Sequence, residues 1–152
     1  MDNTALKDRI TALAPGAEFT ENKQYVTFVV PKAGMHDLAL KLRSENDLAF
    51  DYLFCLTGVD MVKYFEVVYH LESTTLKHQV VMKVRTDDRE NPAVDTVCDI
   101  WRTAEFHERE VYDLLGVKFS NHPDLRRLFL DESWVGHPLR KDYMDEVNIV
   151  EL

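Results

Sequence analysis

The sequence predicts an α+β fold of two layers, in which helices pack on a mixed or antiparallel sheet. Three observations support this prediction. Two stretches in the first third of the chain have apolar residues at helical spacing, the middle contains strand-like apolar segments, and a charge-dense helix follows. The predicted order is helix, two strands, helix, three strands, helix and an extended C-terminal arm. We expect residues 1–117 to form the α+β domain and residues 118–152 to form a docking arm.

The first third is predicted to hold two amphipathic helices separated by a hairpin. The first helix can use Asn3 or Thr4 as its cap and ends at Pro15-Gly16. Strands over residues 17–20 and 25–30 flank a polar turn. The apolar faces of the two helices are formed by Leu6, Ile10 and Leu13, and by Met35, Leu38, Ala39 and Leu42.

The middle of the chain is predicted to hold three strands. Residues 50–59 are apolar and partly aromatic, which predicts a central strand, and residues 64–71 follow after a tight link. From residue 76 to residue 85 apolar and polar side chains alternate, with Val81 as the exception, which is typical of a half-buried strand. Asn91-Pro92 then fits the start of a helix. The apolar stripe of that helix is formed by Val94, Val97, Cys98 and Trp101, and Thr103 can cap the next helix.

The composition is that of a globular protein with an excess of acidic groups. The formal net charge of the 152 residues is -9, which argues against nucleic-acid binding, because that function needs a basic face. We expect neither a signal peptide nor a bilayer-spanning segment. Cys55 and Cys98 lie among apolar residues without a Cys-x-x-Cys pattern, so we expect two buried, reduced thiols.

The last third of the chain is rich in charged groups and turn residues. Acidic side chains crowd the predicted helix from Glu105, and Gly116 can end that helix in a left-handed conformation. Pro123 and Pro138 disfavour helix for the residues before them. Arginine and Trp134 suit protein interfaces. We therefore expect an arm that is ordered by a partner or by the chain's own body.

Two kinds of chemistry can be built from these residues. His107, Glu110 and His122 can bind a metal ion, but a zinc or iron site needs three or four converging ligands. Hydrogen bonding of the histidines at turns or interfaces is the favoured interpretation. The acidic groups can also act as acids and bases in a cleft. We favour ion pairing instead, and the cations available for it are Arg109, Arg126, Arg127 and Arg140.

A long signature runs through the same region. It reads Glu108-Arg109-Glu110-x-Tyr112-Asp113-Leu114-x-Gly116-Val117-x-Phe119-x-x-His122-Pro123-Asp124-Leu125-Arg126-Arg127, and continues as Gly136-His137-Pro138-Leu139-Arg140-Lys141-Asp142-Tyr143. The pattern resembles the C subunit of respiratory complex I, the proton-pumping NADH:quinone oxidoreductase. The likeness covers most of the chain from about residue 50. Asn121 and Met144 depart from it, since the family often has Gly and Pro at these positions.

The resemblance implies a non-catalytic peripheral-arm subunit on the cytoplasmic side of the cell inner membrane, attached to the membrane only through its complex. Its implied partners are the hydrogenase-like subunit that helps form the quinone site and the iron–sulfur subunits. NADH, FMN, the iron–sulfur clusters and quinone then belong to other subunits, and this chain binds no cofactor or metal. The residues expected to form ion pairs or partner contacts are Glu108, Arg109, Glu110, Asp113, His122, Arg126, Arg127, Trp134, Arg140, Lys141 and Asp142.

Two other functions stay open at the level of sequence. The chain can be the equivalent subunit of a membrane-bound hydrogenase or of a ferredoxin-fed dehydrogenase, because other subunits oxidise the electron donor. It can also be a stand-alone metal-dependent enzyme that uses His107, Glu110 and His122. Without partners, we expect residues beyond about 120 to be mobile or to be held by a neighbour.

Overall fold

The fold is described for residues 1–145 of the chain, from a computed structural model. The helices of this part are α1 (Asn3–Leu13), α2 (Met35–Ser44) and α3 (Ala104–Leu115). Its strands are β1 (Glu18–Thr20), β2 (Val26–Pro31), β3 (Tyr52–Asp60), β4 (Phe65–Ser73), β5 (His78–Thr86), β6 (Ala93–Asp95) and β7 (Lys118–Ser120). The last seven residues of the predicted arm lie outside the described residues.

A five-stranded mixed sheet forms one layer of the molecule. Its strand order is β1-β2-β5-β4-β3; β2 and β5 pair in parallel, and the other neighbours pair antiparallel. β6 and β7 form a separate parallel pair. The three helices and one face of the large sheet contribute to the same hydrophobic core. The predicted two-layer α+β fold is therefore confirmed.

The close packing of α3 on β3 positions the charge-dense helix. Gly58 makes this approach possible, because a Cβ atom there would lie 2.6 Å from Leu115 Cδ1 and 2.8 Å from Val111 Cγ1. The two apolar residues of α3 are themselves buried. The opposite side of α3 is left free to contact the residues that follow β7.

The prediction of a helix after Asn91-Pro92 is wrong. Residues 93–95 form β6 instead, and the chain turns after it. The Thr96 N–H donates to the Ser120 carbonyl at 2.9 Å, and the Val97 N–H donates to the Glu108 carboxylate at 2.8 Å. These long-range bonds replace the helical ones. Val94, Val97 and Trp101 are nevertheless buried. Their spacing in the sequence therefore indicated which side chains are buried, but not a helix.

Three smaller expectations need correction. β3 is an edge strand and not a central one, because within residues 1–145 only β4 pairs with it. The cap of α1 is Asp2, whose carboxylate accepts the Ala5 N–H at 2.8 Å. Cys55 and Cys98 are free thiols but are half-buried, not fully buried.

Candidate docking segment and polar cluster

Three charged side chains of α3 are buried. Glu108 and Asp113 are 0% exposed and Arg109 is 5% exposed. A buried charge is stable only with hydrogen-bonding partners, and each of the three finds them outside the helix. α3 ends at Gly116 with φ 77°, as the sequence predicts. Thr103 precedes α3 without capping it, because its hydroxyl donates to the Leu53 carbonyl at 2.7 Å.

Asp113 holds the start of the C-terminal segment, which we define as residues 121–145. Its Oδ2 accepts the backbone N–H groups of residues 128, 129 and 130 at 3.2, 2.7 and 3.1 Å. Its Oδ1 accepts Nη1 of Arg127 at 3.0 Å. Burial raises the pKa of Asp113, but these hydrogen bonds outweigh burial and hold the pKa below its usual range. The carboxylate is therefore ionised and fixes a turn.

Two arginines extend this attachment through backbone carbonyls. Arg109 donates from Nε to the carbonyl of Arg126 at 3.1 Å and from Nη2 to that of Arg127 at 3.0 Å. The Nη2 of Arg127 donates to the carbonyls of Trp134 and Gly136 at 3.2 and 2.9 Å. Guanidinium groups suit this role, since their donors point in several fixed directions. Arg127 thus joins α3 to two turns of the C-terminal segment.

A second attachment joins the C-terminal segment to the end of β3. The Asp60 carboxylate accepts Arg89 Nη1 at 2.7 Å and the Lys141 N–H at 2.9 Å. The hydrogen bond from Arg89 is the main reason that the pKa of Asp60 lies far below its usual range. The guanidinium groups of Arg89 and Arg140 lie 4.5 and 5.0 Å from the centroid of the Phe65 ring, at distances typical of cation–π contacts.

The backbone of α3 supplies further acceptors near its C-terminal end. His137 Nδ1 donates to the Asp113 carbonyl at 3.0 Å, and Arg140 Nε donates to the Leu115 carbonyl. The Leu139 N–H donates to the Leu114 carbonyl at 2.9 Å. These carbonyls lie in the last turn of the helix, where they lack helical partners. The C-terminal segment therefore satisfies the end of α3 as well as its buried charges.

A polar cluster forms around Glu108 on another side of α3. Its carboxylate accepts the Thr96 hydroxyl at 2.6 Å, the Val97 N–H at 2.8 Å and the Cys98 thiol at 3.3 Å. No arginine donates to it among the described residues. Burial raises the pKa of Glu108, and burial also raises the pKa of Cys98 to about 12. Glu108 thus fixes the turn after β6.

Cys98, Glu108 and His122 converge, and their potential ligand atoms all lie within 4.8 Å of one another. The hydrogen bonds of His122 oppose metal binding at this point. Its Nδ1 accepts the Asp124 N–H at 3.0 Å, so Nε2 carries the proton and donates to the Glu105 carbonyl at 3.0 Å. Neither nitrogen keeps a free lone pair for a metal ion. His107 and Glu110 do not belong to the converging group.

The remaining candidate residues lie at or near the surface. Arg126 and Lys141 are exposed, and Glu110 is half-buried on α3. Arg126 pairs with Asp124 at 3.0 Å, and Asp142 lies 3.5 Å from Arg89. Five large exposed apolar side chains lie in the C-terminal segment. They are Phe129, Trp134, Val135, Leu139 and Met144, with exposed fractions of 65, 39, 88, 60 and 72%.

Sequence reasoning missed Asp60, Arg89 and Thr96. Arg89 lies in a charged loop beside Asp87, Asp88 and Glu90, whereas Asp60 and Thr96 lie among mostly apolar residues, and the partners are far apart in sequence. Asp60 and Arg89, for example, are separated by 29 positions. An aspartate at the end of a predicted strand is a weak indication of an ion pair, and its partner cannot be identified without the fold.

Comparison with known proteins places this geometry in a family. The model of the family described as "Respiratory-chain NADH dehydrogenase, 30 Kd subunit" matches residues 28–147. The C subunit of the NADH-quinone oxidoreductase of Roseiflexus sp. (strain RS-1) is 38% identical over 147 residues, which cover 93% of this chain and 84% of the relative. The chain belongs to the 30 Kd subunit family.

Other relatives in the 30 Kd subunit family are fused to a second unit. The fused C/D protein of the NADH-quinone oxidoreductase of Phocaeicola vulgatus is 48% identical over 120 residues, which cover 78% of this chain and 23% of the relative. The chain therefore spans about a quarter of that fused protein. Across residues 1–145, no helix combines the length and apolar character needed to cross a membrane.

The fold also occurs in a solved respiratory assembly. A chain of the archaeal membrane-bound sulfane sulfur reductase superposes with a TM-score of 0.72 and 27% identity. The match covers 95% of this chain and 86% of that one. The fold of the 30 Kd subunit family is thus found in more than one kind of respiratory complex.

Proposed function

We propose that the chain is the peripheral-arm C subunit of a proton-translocating NADH:quinone oxidoreductase. The family match over residues 28–147, together with relatives that span nearly the whole chain, carries this proposal. The protein supports assembly and the transfer of electrons from NADH to quinone without a catalytic residue of its own. NADH, FMN, the iron–sulfur clusters and quinone are bound by other subunits of the complex.

The buried charges of α3 support a scaffolding role. Glu108, Arg109 and Asp113 make hydrogen bonds within the chain and shape its surface. A reactive site needs groups that are free to contact a substrate. These three groups are occupied in holding the 96–98 turn and the C-terminal segment.

The exposed apolar side chains of the C-terminal segment form the proposed docking surface. Large exposed apolar patches mark sites of protein–protein interaction in many proteins. Val135 and Leu139 are 88% and 60% exposed, while the Gly136 carbonyl accepts Arg127 and the Leu139 N–H donates to the Leu114 carbonyl of α3. The proposed partner is the quinone-site (D) subunit, because the fused C/D relatives join both units in one chain. The iron–sulfur subunits are its further neighbours, and the chain lies on the cytoplasmic side of the inner membrane, held there through the complex.

Single charges placed on this surface test the proposal. Val135→Asp and Leu139→Asp leave the core intact, so we expect the isolated chain to keep its stability. In membranes, we expect co-purification of the partner subunits with the tagged chain to fall at least tenfold, which corresponds to about 1.4 kcal/mol of binding free energy. Leu40→Asp is the matched control, because Leu40 is 49% exposed on α2, away from the C-terminal segment.

The readout must separate assembly from catalysis. We expect the quinone reductase rate of each assembled complex to stay unchanged in both variants, since the chain supplies no reacting group. Full assembly of both variants would contradict the docking surface. Normal assembly combined with a lower rate would contradict the non-catalytic role.

A second function is favoured by one observation. The structural likeness to a chain of the sulfane sulfur reductase shows that this fold serves a complex named for a different activity. The chain would then be the equivalent subunit of a hydrogenase or a ferredoxin-fed dehydrogenase. Mass identification of the co-purified subunits decides between the two, because only an NADH-oxidising complex contains a flavin-binding NADH subunit.

A further inference from the structure

The five-stranded sheet has one long edge without a neighbouring strand. β3 forms this edge with nine residues, whereas β1 forms the opposite edge with only three. Within residues 1–145, no strand pairs with β3 on the side away from β4. Such an edge presents a row of backbone N–H and C=O groups that can pair with another extended chain.

β3 lacks most features that protect an edge strand. Proteins commonly place proline or lysine on such strands, or keep them short. β3 contains neither residue type, and Thr57 and Val59 are exposed on it. A register shift between Leu53 and Cys55 interrupts the strand near its start, and bulges of this kind discourage pairing locally. The regular stretch beyond this shift is Cys55–Asp60; its exposed side chains are those of Thr57 and Val59, and it ends at the buried Asp60.

We propose that the β3 edge over Cys55–Asp60 binds an extended segment of a partner polypeptide, which adds a sixth strand to the sheet. An extended strand fits this edge, because the backbone donors and acceptors of the edge repeat at the spacing of an extended chain. Six residues of strand span about 20 Å. The partner segment needs apolar or β-branched side chains at alternate positions, so that they contact Thr57 and Val59.

The net charge of the chain favours a different subunit, rather than a second copy of this chain, as the partner that binds the β3 edge. Two copies would each bring a formal net charge of -9, and such charges repel at close approach. The edge ends at Asp60, which binds the Lys141 N–H of the C-terminal segment. The β3 edge thus borders the C-terminal segment, which carries the proposed docking surface. This inference rests on the proposed function, because it uses the same assembled complex.

Hydrogen exchange on the isolated chain and on the purified complex tests the pairing. In an antiparallel edge strand, every second amide points away from the sheet. We expect alternate amides within residues 55–59 to exchange rapidly in the isolated chain. In the complex, the same amides should exchange at least tenfold more slowly. The amides of β1 at the opposite edge serve as the internal reference.

A charge on the edge gives an independent test. Thr57→Lys and Val59→Lys should reduce co-purification of the partner subunits at least fivefold while leaving the stability of the isolated chain unchanged. Leu76→Lys is the matched control, because Leu76 is 41% exposed in the turn before β5. We expect the control to assemble normally.

The outcomes separate this inference from the proposed function. A complex that forms while the β3 amides exchange as in the isolated chain overturns the edge pairing and leaves the proposed function standing. Failure to find any partner subunit overturns both. Protection that is already present in the isolated chain overturns the edge pairing too. If it depends on concentration, the edge pairs with a second copy; if it disappears on removal of residues 146–152, the edge belongs to the chain's own C-terminus.

Discussion

At the scale of single residues, Asp113 is the most connected charge of the site. It accepts three backbone N–H groups and one arginine from the C-terminal segment. We expect Asp113→Asn to lower the free energy of unfolding by about 3 kcal/mol, because Arg127 is left without its buried counter-charge. Urea unfolding measures the change. Glu110→Gln on the same helix is the control, and an equal loss in both variants would contradict the role given to Asp113.

Glu108 makes stability depend on pH in the opposite sense to Asp113. Burial raises its folded pKa, so its contribution to stability is fully present below the unfolded pKa of about 4.3 and is lost as pH rises through the folded pKa. The lowered pKa of Asp113 gives stability that is lost as pH falls. Glu108→Gln keeps an acceptor oxygen and removes the titration.

We therefore expect the stability of Glu108→Gln relative to the wild type to rise as pH increases from about 4. Urea unfolding at pH 4, 5, 6 and 7 measures this difference. A difference that stays constant with pH would show that Glu108 does not titrate with a raised pKa. Asp113→Asn provides the contrast, because its deficit should shrink at the acidic end of the series.

Of the ion pairs that the sequence suggested, Arg127 with Asp113 is present at 3.0 Å, but other buried charges have different partners. Charge density alone indicated Arg109 and Arg127, and both do hold the C-terminal segment. Ion pairing was the expected bond, yet Arg109 donates to carbonyls and Glu108 accepts from a hydroxyl, an amide and a thiol. A linear pattern shows which groups need partners; the fold decides which backbone groups come within reach.

At the scale of elements, the end of α3 depends on the absence of a side chain at Gly116. Its φ is 77°, and a Cβ atom there would lie 2.6 Å from both Arg140 Nη2 and His137 Cδ2. Gly34 has nearly the same φ, 76°, with nothing within 4 Å. Gly34 precedes α2 and Gly116 follows α3; they share the backbone conformation, but only Gly116 contacts the C-terminal segment.

We expect Gly34→Ala to cost about 1–2 kcal/mol of stability, which is the penalty of a left-handed conformation for alanine. Gly116→Ala should cost clearly more and should also speed amide exchange over residues 137–143, because the new methyl group displaces His137 and Arg140. Urea unfolding and hydrogen exchange measure the two effects. Equal losses in the two variants would mean that the segment does not rest on Gly116.

Strong apolar periodicity predicted strand β5 correctly. The helix predicted after Asn91-Pro92 was wrong, because its apolar residues have a helical spacing without forming a helix. The alternation on β5 is confirmed by the burial of Val80, Met82 and Val84. Helical spacing at Val94, Val97 and Trp101 arises instead from a short strand followed by a turn. Apolar spacing reports which side chains are buried, and over ten residues a strand and a turn can bury the same set as a helix.

At the scale of the whole molecule, two neighbouring arginines differ in how they contribute to the attachment of the C-terminal segment. Arg127 is 9% exposed in its side chain and joins α3 to two turns, whereas Arg126 is 63% exposed. We expect Arg127→Ala to speed amide exchange over residues 128–136 at least tenfold and to reduce assembly of the complex. Arg126→Ala should leave this amide exchange unchanged. Indistinguishable exchange in the two variants would show that the segment is held by other contacts.

The bond between Asp60 and the Lys141 N–H joins residues that lie 81 positions apart. Contacts between distant positions form late in folding, because a long loop must close first. On the ribosome, β3 and β4 emerge well before residue 141. The contacts of Asp60 with the Lys141 N–H and of the Phe65 ring with Arg140 therefore form only later. A nascent chain that ends before residue 140 already has Arg89 on the Asp60 carboxylate, but it lacks the Lys141 N–H on Asp60 and the Arg140 guanidinium over the Phe65 ring.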